Sequence, residues 1–592
     1  MPRLTIRMLL ATTLLLAVPA NGQPSQSIAI IGATIFDGSG AKPYQGDVLV
    51  TNGRIAAVGP DIRVPAGARR VQARGKALLP GFFDVHSHWT PGGIPERTPQ
   101  IATAYIQWGI TTVNDFNQQP ESFAPRREWI ASLASPHVLF AARLSTPGGH
   151  GADWADQMTT IWVNTPDSAR AAIGSLVPYK PDLIKIFTDG WRYGMMPNNT
   201  SMNEDTVKAA VEAAHGQNWP VLTHTVTVER GLEAARAGVD SLAHGMQDRR
   251  ITPEEVLEIK QSGMAMAPTL AVYEPNKPGT PPRDPADLRT AQAMAKFQNA
   301  LFNVKALHDA GIPIALGTDA GMPGTPHGKS SLREMELLVQ AGLTPSEALV
   351  AGTSVSAKLM RIDQDRGTIA VGKRADIILI DGKPWETISD VYKLSQVYID
   401  GRLVSGRDAP ALPAANRADR LPSTTVGPLI DDFERPDGRS ALDTLRLETP
   451  DGGPDRSVEI TQIVPRENGH ALRLSARLAN KPDPFVSAAI PLTRGSVRPA
   501  DLGRYKGVRF EIRGAGRFAM VMNGLDGSWS APLQASDAWQ AVEVPFSSLA
   551  PVITARMKSP AWNTDGLVQV EINGTGASGS RIWMEIDNVR FY

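Results

Sequence analysis

Two histidines end a short apolar run in the sequence Gly81-Phe-Phe-Asp-Val-His86-Ser-His88, which predicts a buried β-strand. Residues two apart on a strand point to the same face, so the imidazoles of His86 and His88 can bind one ion together. Imidazole is a good ligand for zinc and similar divalent ions. A lone pair of this kind is more often a coincidence, so the rest of the chain has to decide between the two interpretations.

Seven more short apolar runs follow this strand, separated by helical segments. The segment Thr252-Pro253-Glu254-Glu255 shows how clear the helix signals are, because it offers an N-cap, a proline in the first turn and a capping-box glutamate. Eight strands that alternate with helices predict an α/β fold, a (β/α)8 or TIM barrel, over residues 77–365. The predicted strands lie near 83–88, 111–115, 137–144, 183–187, 221–224, 241–244, 264–270 and 314–319.

Short strands with tight turns flank the barrel region on both sides. Residues 27–76 and 366–407 show this pattern, and we expect them to form one small β-sandwich beside the barrel. Residues 408–428 are rich in proline, alanine, serine and threonine and predict a linker. Beyond it apolar and polar residues alternate, which predicts a separate all-β sandwich over residues 429–592.

The N-terminus predicts a secretory signal peptide over residues 1–22. Arg3 and Arg7 precede an apolar run over 8–17, and small residues follow near the expected cleavage site. The run is too short to span a bilayer, although an uncleaved anchor is the alternative. We therefore expect a secreted or periplasmic protein that is not inserted in a membrane once the signal is removed.

Charge and cysteine content narrow the chemistry further. Lys plus Arg and Asp plus Glu both number 60, so no overall field favours binding to nucleic acid. The chain has no cysteine, which excludes disulfides and thiolate ligands. Any metal site must therefore use histidine, carboxylate or modified lysine.

Polar residues also end several later predicted strands. His224 ends Val221-Leu-Thr-His224, His244 ends Ser241-Leu-Ala-His244, and Asp319 ends Ile314-Ala-Leu-Gly-Thr-Asp319. Strand ends of this kind converge on one face of a TIM barrel, where the active site lies. Each residue alone has a structural alternative, a helix cap or a buried hydrogen bond. Their joint occurrence with His86 and His88 predicts a metal site.

Lys185 lies inside the apolar strand Asp182-Leu-Ile-Lys-Ile-Phe187. Burial lowers the pKa of a lysine, and a neutral amine can add carbon dioxide to become a carbamate, which is a carboxylate-like ligand. On the local sequence alone, a lysine that pairs with Asp182 or Asp189 is the stronger interpretation.

The order of these residues resembles the amidohydrolase superfamily, in its imidazolonepropionase-like and metal-dependent dipeptidase branch. The resemblance covers about residues 28–404. It is carried by His86-Ser-His88, Lys185, His224, His244, Gly317-Thr-Asp319-Ala-Gly321, Gly148-Gly-His150-Gly151, His327-Gly, Ala351-Gly-Thr353 and Gly372-Lys-Arg-Ala-Asp376.

This resemblance implies a binuclear site with two divalent ions, in relatives usually Zn²⁺. His86, His88 and Asp319 would hold one ion, His224 and His244 would hold the other, and carbamylated Lys185 would bridge them. Asp319 would also move the proton from the attacking water to the leaving group.

The resemblance also suggests two residues that contact substrate. His150, on a glycine-rich loop, would contact the substrate carbonyl and take part in catalysis, and Tyr273 would bind substrate. A loop-fixing hydrogen bond and a surface tyrosine are the structural alternatives. His327 has at least as much reason to be structural, and His137, His215, His308 and His470 are interpreted as structural.

The C-terminal region resembles the jelly-roll domain of the complex I intermediate-associated protein 30 type. Leu429-Ile-Asp-Asp-Phe-Glu434, Leu502-Gly-Arg-Tyr-Lys-Gly507 and Trp583-Met-Glu-Ile-Asp-Asn carry this resemblance. The domain could contact a glycan or a protein, with sugars stacked on Trp529, Trp539, Trp562 or Trp583. Core packing is the more usual role of tryptophan in such a sandwich.

Together these observations predict a metal-dependent amidohydrolase that cleaves an amide or peptide bond in a dipeptide or N-acyl amino acid. Two alternatives stay open: the same site could act on a cyclic amide, lactone, carbamate or ester, or the chain could be a non-catalytic binding protein that uses its C-terminal sandwich. A homo-oligomer is compatible with the sequence, which does not specify the number of subunits.

Overall fold

The structure is a computed structural model that describes residues 27–89, 98–151, 159–189, 200–281, 283–410, 421–452, 455–553 and 559–592. The predicted signal peptide (1–22) and the middle of the predicted linker (411–420) lie outside the described residues. Among the helices that are described, none has the length and apolar character needed to cross a membrane.

Strands from both ends of the barrel region share one eight-stranded sheet, in the order β16-β15-β14-β5-β1-β2-β3 with β4 beside β1. The antiparallel pairing of β14 with β5 joins the two ends, Ile377 lying opposite Pro80. The strands are β1 (Ser27–Ile35), β2 (Tyr44–Thr51), β3 (Arg54–Gly59), β4 (Arg69–Gln72), β5 (Ala77–Pro80), β14 (Ile377–Ile380), β15 (Leu394–Ile399) and β16 (Arg402–Gly406).

A second sheet forms the barrel from parallel strands in the order β13-β12-β11-β10-β8-β7-β6, with β9 beside β8. All residues of β6, β7, β10 and β11 are buried, as expected for strands covered on both faces. The strands are β6 (Phe82–Ser87), β7 (Ile110–Asp115), β8 (His137–Ser145), β9 (Thr160–Trp162), β10 (Leu183–Phe187), β11 (Val221–His224), β12 (Ser241–Ala243) and β13 (Ala265–Ala267).

An extended segment, residues 313–320, lies between β13 and β6 and closes the barrel. The Ala315 N–H donates to the Met266 carbonyl over 2.8 Å, and the Val85 N–H donates to the Leu316 carbonyl over 2.8 Å. The segment makes isolated bridges rather than a continuous ladder. It occupies the place of the eighth predicted strand, and the predicted TIM-barrel fold is confirmed.

Helices cover the outside of the barrel. Thr252 and Thr344 cap their helices with capping boxes, and Gly263 ends the first of these at a φ of 75°. The helices are α1 (Thr98–Gln107), α2 (Phe123–Ala131), α3 (Pro166–Leu176), α4 (Glu204–His215), α5 (Val228–Arg236), α6 (Pro253–Ser262), α7 (Leu270–Tyr273), α8 (Leu288–Asp309), α9 (Lys329–Ala341), α10 (Pro345–Val350) and α11 (Ser356–Leu359). The π-helical turn Ala351–Val355 joins the last two.

Two further sheets enclose a separate apolar core in the C-terminal region. One has the order β17-β23-β29-β25-β26-β28 with β22 and β19 alongside, and the other has the order β20-β21-β30-β24-β27 with β18 beside β30. The short strand β17 lies within the predicted linker and pairs with β23. The strands are β17 (Thr424–Thr425), β18 (Leu429–Asp431), β19 (Leu447–Glu448), β20 (Val458–Arg466), β21 (Gly469–Arg477), β22 (Phe485–Pro491), β23 (Ala500–Asp501), β24 (Gly507–Ala515), β25 (Arg517–Gly524), β26 (Ser528–Leu533), β27 (Gln540–Pro545), β28 (Ala550–Pro551), β29 (Asp565–Thr575) and β30 (Arg581–Phe591).

The four tryptophans singled out in this region differ in burial. Trp529 is buried and packs edge-on against Trp562, which is half-buried. Trp539 and Trp583 are also half-buried, and arginine guanidinium groups lie over their rings. A glycan or protein contact through this region stays a prediction.

A buried carboxylate joins the barrel to the C-terminal sheets. Glu121, which follows β7, pairs with Arg439 and accepts the Leu445 N–H over 2.8 Å. Arg439 also donates to the Tyr179 hydroxyl over 3.4 Å.

Candidate metal centre

Five of the six predicted metal ligands lie at or just past the ends of barrel strands or in the closing segment, and the sixth lies within a strand. His86 and His224 are at the ends of β6 and β11, His88 and His244 follow β6 and β12, Asp319 is in the closing segment, and Lys185 is in the middle of β10. All six side chains are buried. The parallel barrel brings them to one end because strands of one direction share one end.

His86, His88 and Asp319 form the tightest group. Asp319 Oδ1 lies 3.2 Å from His86 Nε2 and 2.9 Å from His88 Nε2. Although burial acts to raise the pKa of Asp319, hydrogen bonds from both histidines hold that pKa well below its usual range. Burial lowers the pKa of His86 well below its usual range. An ionised carboxylate with neutral imidazole is the protonation state that a metal ion requires.

A second group contains His224, His150 and a carboxylate that the sequence analysis did not select as a ligand. His224 Nε2 lies 3.2 Å from Asp189 Oδ2. The rings of His150 and His224 are 3.9 Å apart between centroids, so the glycine-rich loop brings His150 into the site. One ligand atom from each of these three residues lies within 4.8 Å of the other two. The same is true of His86, His88 and Asp319.

His244 links the two groups. Its ring centroid lies 4.8 Å from that of His86 and 4.3 Å from that of His224. Thr269 Oγ1 lies 2.7 Å from His244 Nδ1 and thereby fixes the orientation of the ring. Such contacts of the second ring nitrogen are typical of metal-bound histidine.

Lys185 is completely surrounded by this cluster. Its Nζ lies 3.4 Å from His86 Nε2 and 4.8 Å from the centroid of the Phe116 ring. Burial, which the Asp319 carboxylate opposes in part, lowers the pKa of Lys185 well below its usual range. Asp182, one of the partners considered for it, instead binds Arg127 over 2.7 Å.

The backbone is strained at two of the candidate ligands. Asp319 has a φ of 61° and His244 a φ of 118°, and the adjoining Thr269 has a φ of 48°. A positive φ costs a non-glycine residue roughly 1–3 kcal/mol, and such residues concentrate at functional sites.

Two glycines let the closing segment approach β6 closely. A Cβ at Gly317 would lie 2.9 Å from His86 Cβ, and one at Gly321 would lie 2.2 Å from the His88 carbonyl oxygen. The buried Asp84 then ties the segment to β6, because it accepts hydrogen bonds from the Thr318 N–H over 3.1 Å and the Thr318 hydroxyl over 2.6 Å. These contacts bring Asp319 to the two histidines.

The two predicted substrate contacts lie at the edge of the cluster. His150 is half-buried and stacks on Phe187, with 5.3 Å between the ring centroids. Tyr273, at the end of α7, packs edge-on against His244 at 5.5 Å. His327 instead approaches the backbone, its Nε2 lying 2.9 Å from the His88 carbonyl.

The donor set fits divalent metal ions. Imidazole nitrogens and carboxylate oxygens lie within 4.8 Å of one another in both groups, and the amine of Lys185 lies 3.4 Å from His86 Nε2. The set matches zinc and its neighbours rather than calcium or magnesium, which prefer oxygen alone.

The family follows from comparison with known proteins. The chain belongs to the amidohydrolase family, whose model matches residues 77–404. This confirms the predicted superfamily and the predicted enzyme class, the metal-dependent hydrolases of carbon–nitrogen bonds. Members of the family generally bind divalent metal ions.

Individual relatives agree with this assignment, one over a short segment and one over most of its own length. An N-acyl-D-aspartate deacylase of Alcaligenes xylosoxydans xylosoxydans is 44% identical over 94 residues, which are 15% of this chain and only 18% of that relative's length. An imidazolonepropionase of Arthrobacter sp. (strain FB24) is 24% identical over 370 residues, which cover 56% of this chain and 87% of the relative.

A solved structure shows the same architecture. The crystal structure of a Xaa-Pro dipeptidase with methionine bound in its active site superimposes with a TM-score of 0.55 at 25% identity. The alignment covers 64% of this chain and 100% of the other.

Proposed function

We propose that the chain is a binuclear metal-dependent amidohydrolase that cleaves the amide bond of a dipeptide or an N-acyl amino acid. The observation that carries the proposal is the convergence of four imidazoles, Asp319 and the amine of Lys185 in one buried cluster at the end of the barrel.

In this proposal His86, His88 and Asp319 would hold one ion, His224 and His244 would hold the second, and carbamylated Lys185 would be a ligand of both. When bound, the two ions supply a water that ionises near neutral pH and polarise the substrate carbonyl, and zinc suits this donor set. The depressed pKa of Lys185 favours the neutral amine from which a carbamate forms.

The chain's own residues handle the proton and orient the substrate. Asp319 accepts the proton of the attacking water and delivers it to the leaving amine, as its contact with both histidines keeps it ionised. His150 and Tyr273 lie on either side of the imidazole cluster and would contact the substrate carbonyl and the group beside it.

The relatives support an amide as the bond that is cleaved. The named activities include a deacylase of an N-acyl amino acid and a Xaa-Pro dipeptidase, each of which acts on an amide bond beside an amino acid.

The sequence of the first 22 residues supports a secreted or periplasmic location, which N-terminal sequencing of the mature protein would test.

Metal analysis and a substrate screen test the proposal together. Protein purified without chelators should carry about two equivalents of divalent metal, and removal of the metal should abolish hydrolysis until zinc and bicarbonate are restored. The screen compares dipeptides, N-acyl amino acids, cyclic amides, lactones and carbamates. Metal-loaded protein that turns over only lactones or carbamates would refute the amide assignment. Protein that binds no metal would refute the proposed metal-dependent hydrolysis.

A further inference from the structure

Lys277 is a half-buried cation that contacts the loop after Asp319, one of the candidate metal ligands. It lies four residues beyond Tyr273, the last residue of α7. Its ammonium donates to Thr325 Oγ1 over 2.8 Å and to the Pro323 carbonyl over 3.3 Å, both on the loop that follows Asp319. Burial lowers the pKa of Lys277, while the carboxylates of Glu274 and Asp319 act in the opposite direction.

The partners of this ammonium are neutral. A lysine ammonium has three donors, and the two acceptors on the loop after Asp319 carry no charge. In the described part of the chain, Lys277 forms no ion pair with aspartate or glutamate. The neighbouring Arg333 differs, because it pairs with Glu274 over 2.6 Å and with Glu336 over 2.7 Å.

A half-buried cation without a close counter-charge is costly unless an anion comes to it. Glu274 is the nearby carboxylate that could act as a counter-ion for Lys277. It already accepts hydrogen bonds from two nitrogens of Arg333. The third ammonium donor is therefore available to an anionic group on a molecule that enters the site.

We infer that Lys277 binds the carboxylate of the substrate, and that the preferred substrates are dipeptides and N-acyl amino acids with a free carboxylate. This inference rests on the proposed function. A charge-assisted hydrogen bond of this kind is stronger than a neutral one and holds the amide bond in register with Asp319. Lys277 is thus a specificity residue rather than a catalytic one.

The structural alternative is that Lys277 only joins the segment after α7 to the loop after Asp319. The two roles give different kinetics. A lost tie between loops would impair every substrate alike, whereas a lost carboxylate contact would raise KM for acids and leave their amides unchanged.

The test compares the dipeptide that the metal-loaded enzyme turns over fastest with the same dipeptide as its C-terminal carboxamide. The variants are Lys277→Met, Lys277→Arg and, as a matched control on α8, Lys305→Met, whose ammonium pairs with Asp309 over 2.6 Å. We expect Lys277→Met to raise KM for the acid by about 10- to 100-fold with kcat nearly unchanged. The amide should be unaffected, and Lys277→Arg should retain most of the preference.

A binding measurement separates this inference from the proposed function. Calorimetric titration of the metal-loaded protein with an N-acetyl amino acid and with its amide does not depend on turnover. Tighter binding of the acid that is lost in Lys277→Met, in a protein that hydrolyses neither compound, would retain the inference and refute the proposed function. Equal binding of acid and amide by the unaltered protein, or equal losses for both in Lys277→Met, would overturn the inference.

Discussion

Two clusters of histidine and carboxylate lie at opposite ends of the barrel. His86, His88 and Asp319 lie where the strands end, whereas His137, at the start of β8, meets Asp376 and Asp400. His137 Nε2 lies 3.2 Å from Asp376 Oδ2 and 3.8 Å from Asp400 Oδ2. By ligand type and distance alone, both clusters could hold a metal ion.

The charges around the two clusters differ. Arg374 binds Asp400 over 2.6 Å and Arg366 lies 3.7 Å from Asp376, so fixed guanidinium groups already neutralise the second cluster. Asp319 meets imidazoles instead, in a backbone that is strained at two ligands. We therefore expect a metal ion at the first cluster and none at the second, where guanidinium groups take the place of the ion.

The largest effect is expected at Asp319. Asp319→Asn should lower kcat/KM by about 10²- to 10⁴-fold, because it removes the group that moves the proton and weakens the binding of one ion. Steady-state kinetics on the best amide substrate and metal analysis would check this. Asp376→Asn is the matched control at the other cluster, and a similar loss of activity there would erase the distinction between the clusters.

Lys185→Met should have the next largest effect. We expect loss of one of the two metal equivalents and a fall in kcat/KM of about 10²-fold, since the two ions lose their shared ligand. Mass spectrometry of the native protein should show the added carbon dioxide only when Lys185 is present. Full metal content and rate in this variant would disprove the carbamate.

Tyr273→Phe should have a smaller effect, a rise in KM of about tenfold if the phenol donates a hydrogen bond to substrate. The ring contact with His244 is retained in phenylalanine, so metal content should not change. An altered metal content would show that the tyrosine supports the ligands rather than the substrate.

His137→Ala should leave metal content and kinetics unchanged and reduce the free energy of unfolding by about 1–3 kcal/mol, because the buried Asp376 loses a partner. Urea unfolding at neutral pH measures this. Loss of a bound ion in this variant would instead identify a second metal site.

Much of the fold could be predicted from the sequence because its signals are local. The strands around His86 and His224 and the capping boxes at Thr252 and Thr344 depend on a few neighbouring residues. The positions of the four histidines and Asp319 at one end followed from the direction of parallel strands, whereas Lys185 was added only by the family resemblance. Their roles stay predictions.

Other features depend on contacts between residues that are far apart in the chain, and they could not be predicted from the sequence. Asp189 follows β10 in a sequence that looks like an ordinary turn, and only the fold brings it to His224. The same holds for the buried link between Glu121 and Arg439, and for Lys277, whose partners belong to another loop. The positive φ at His244 had no signal, because a positive φ is uncommon for any residue other than glycine.

The contact of Asp84 with Thr318 joins residues 234 positions apart and so has a consequence for how the protein matures. In the proposed site the first barrel strand, β6, and the closing segment would supply the ligands of one ion between them, so a nascent chain would not bind that ion until the barrel ring is complete. Conversely, the ring would not open without release of the ion. Metal occupancy and resistance to unfolding would then be one property, and slow amide hydrogen exchange at Val85 and Ala315 would report both.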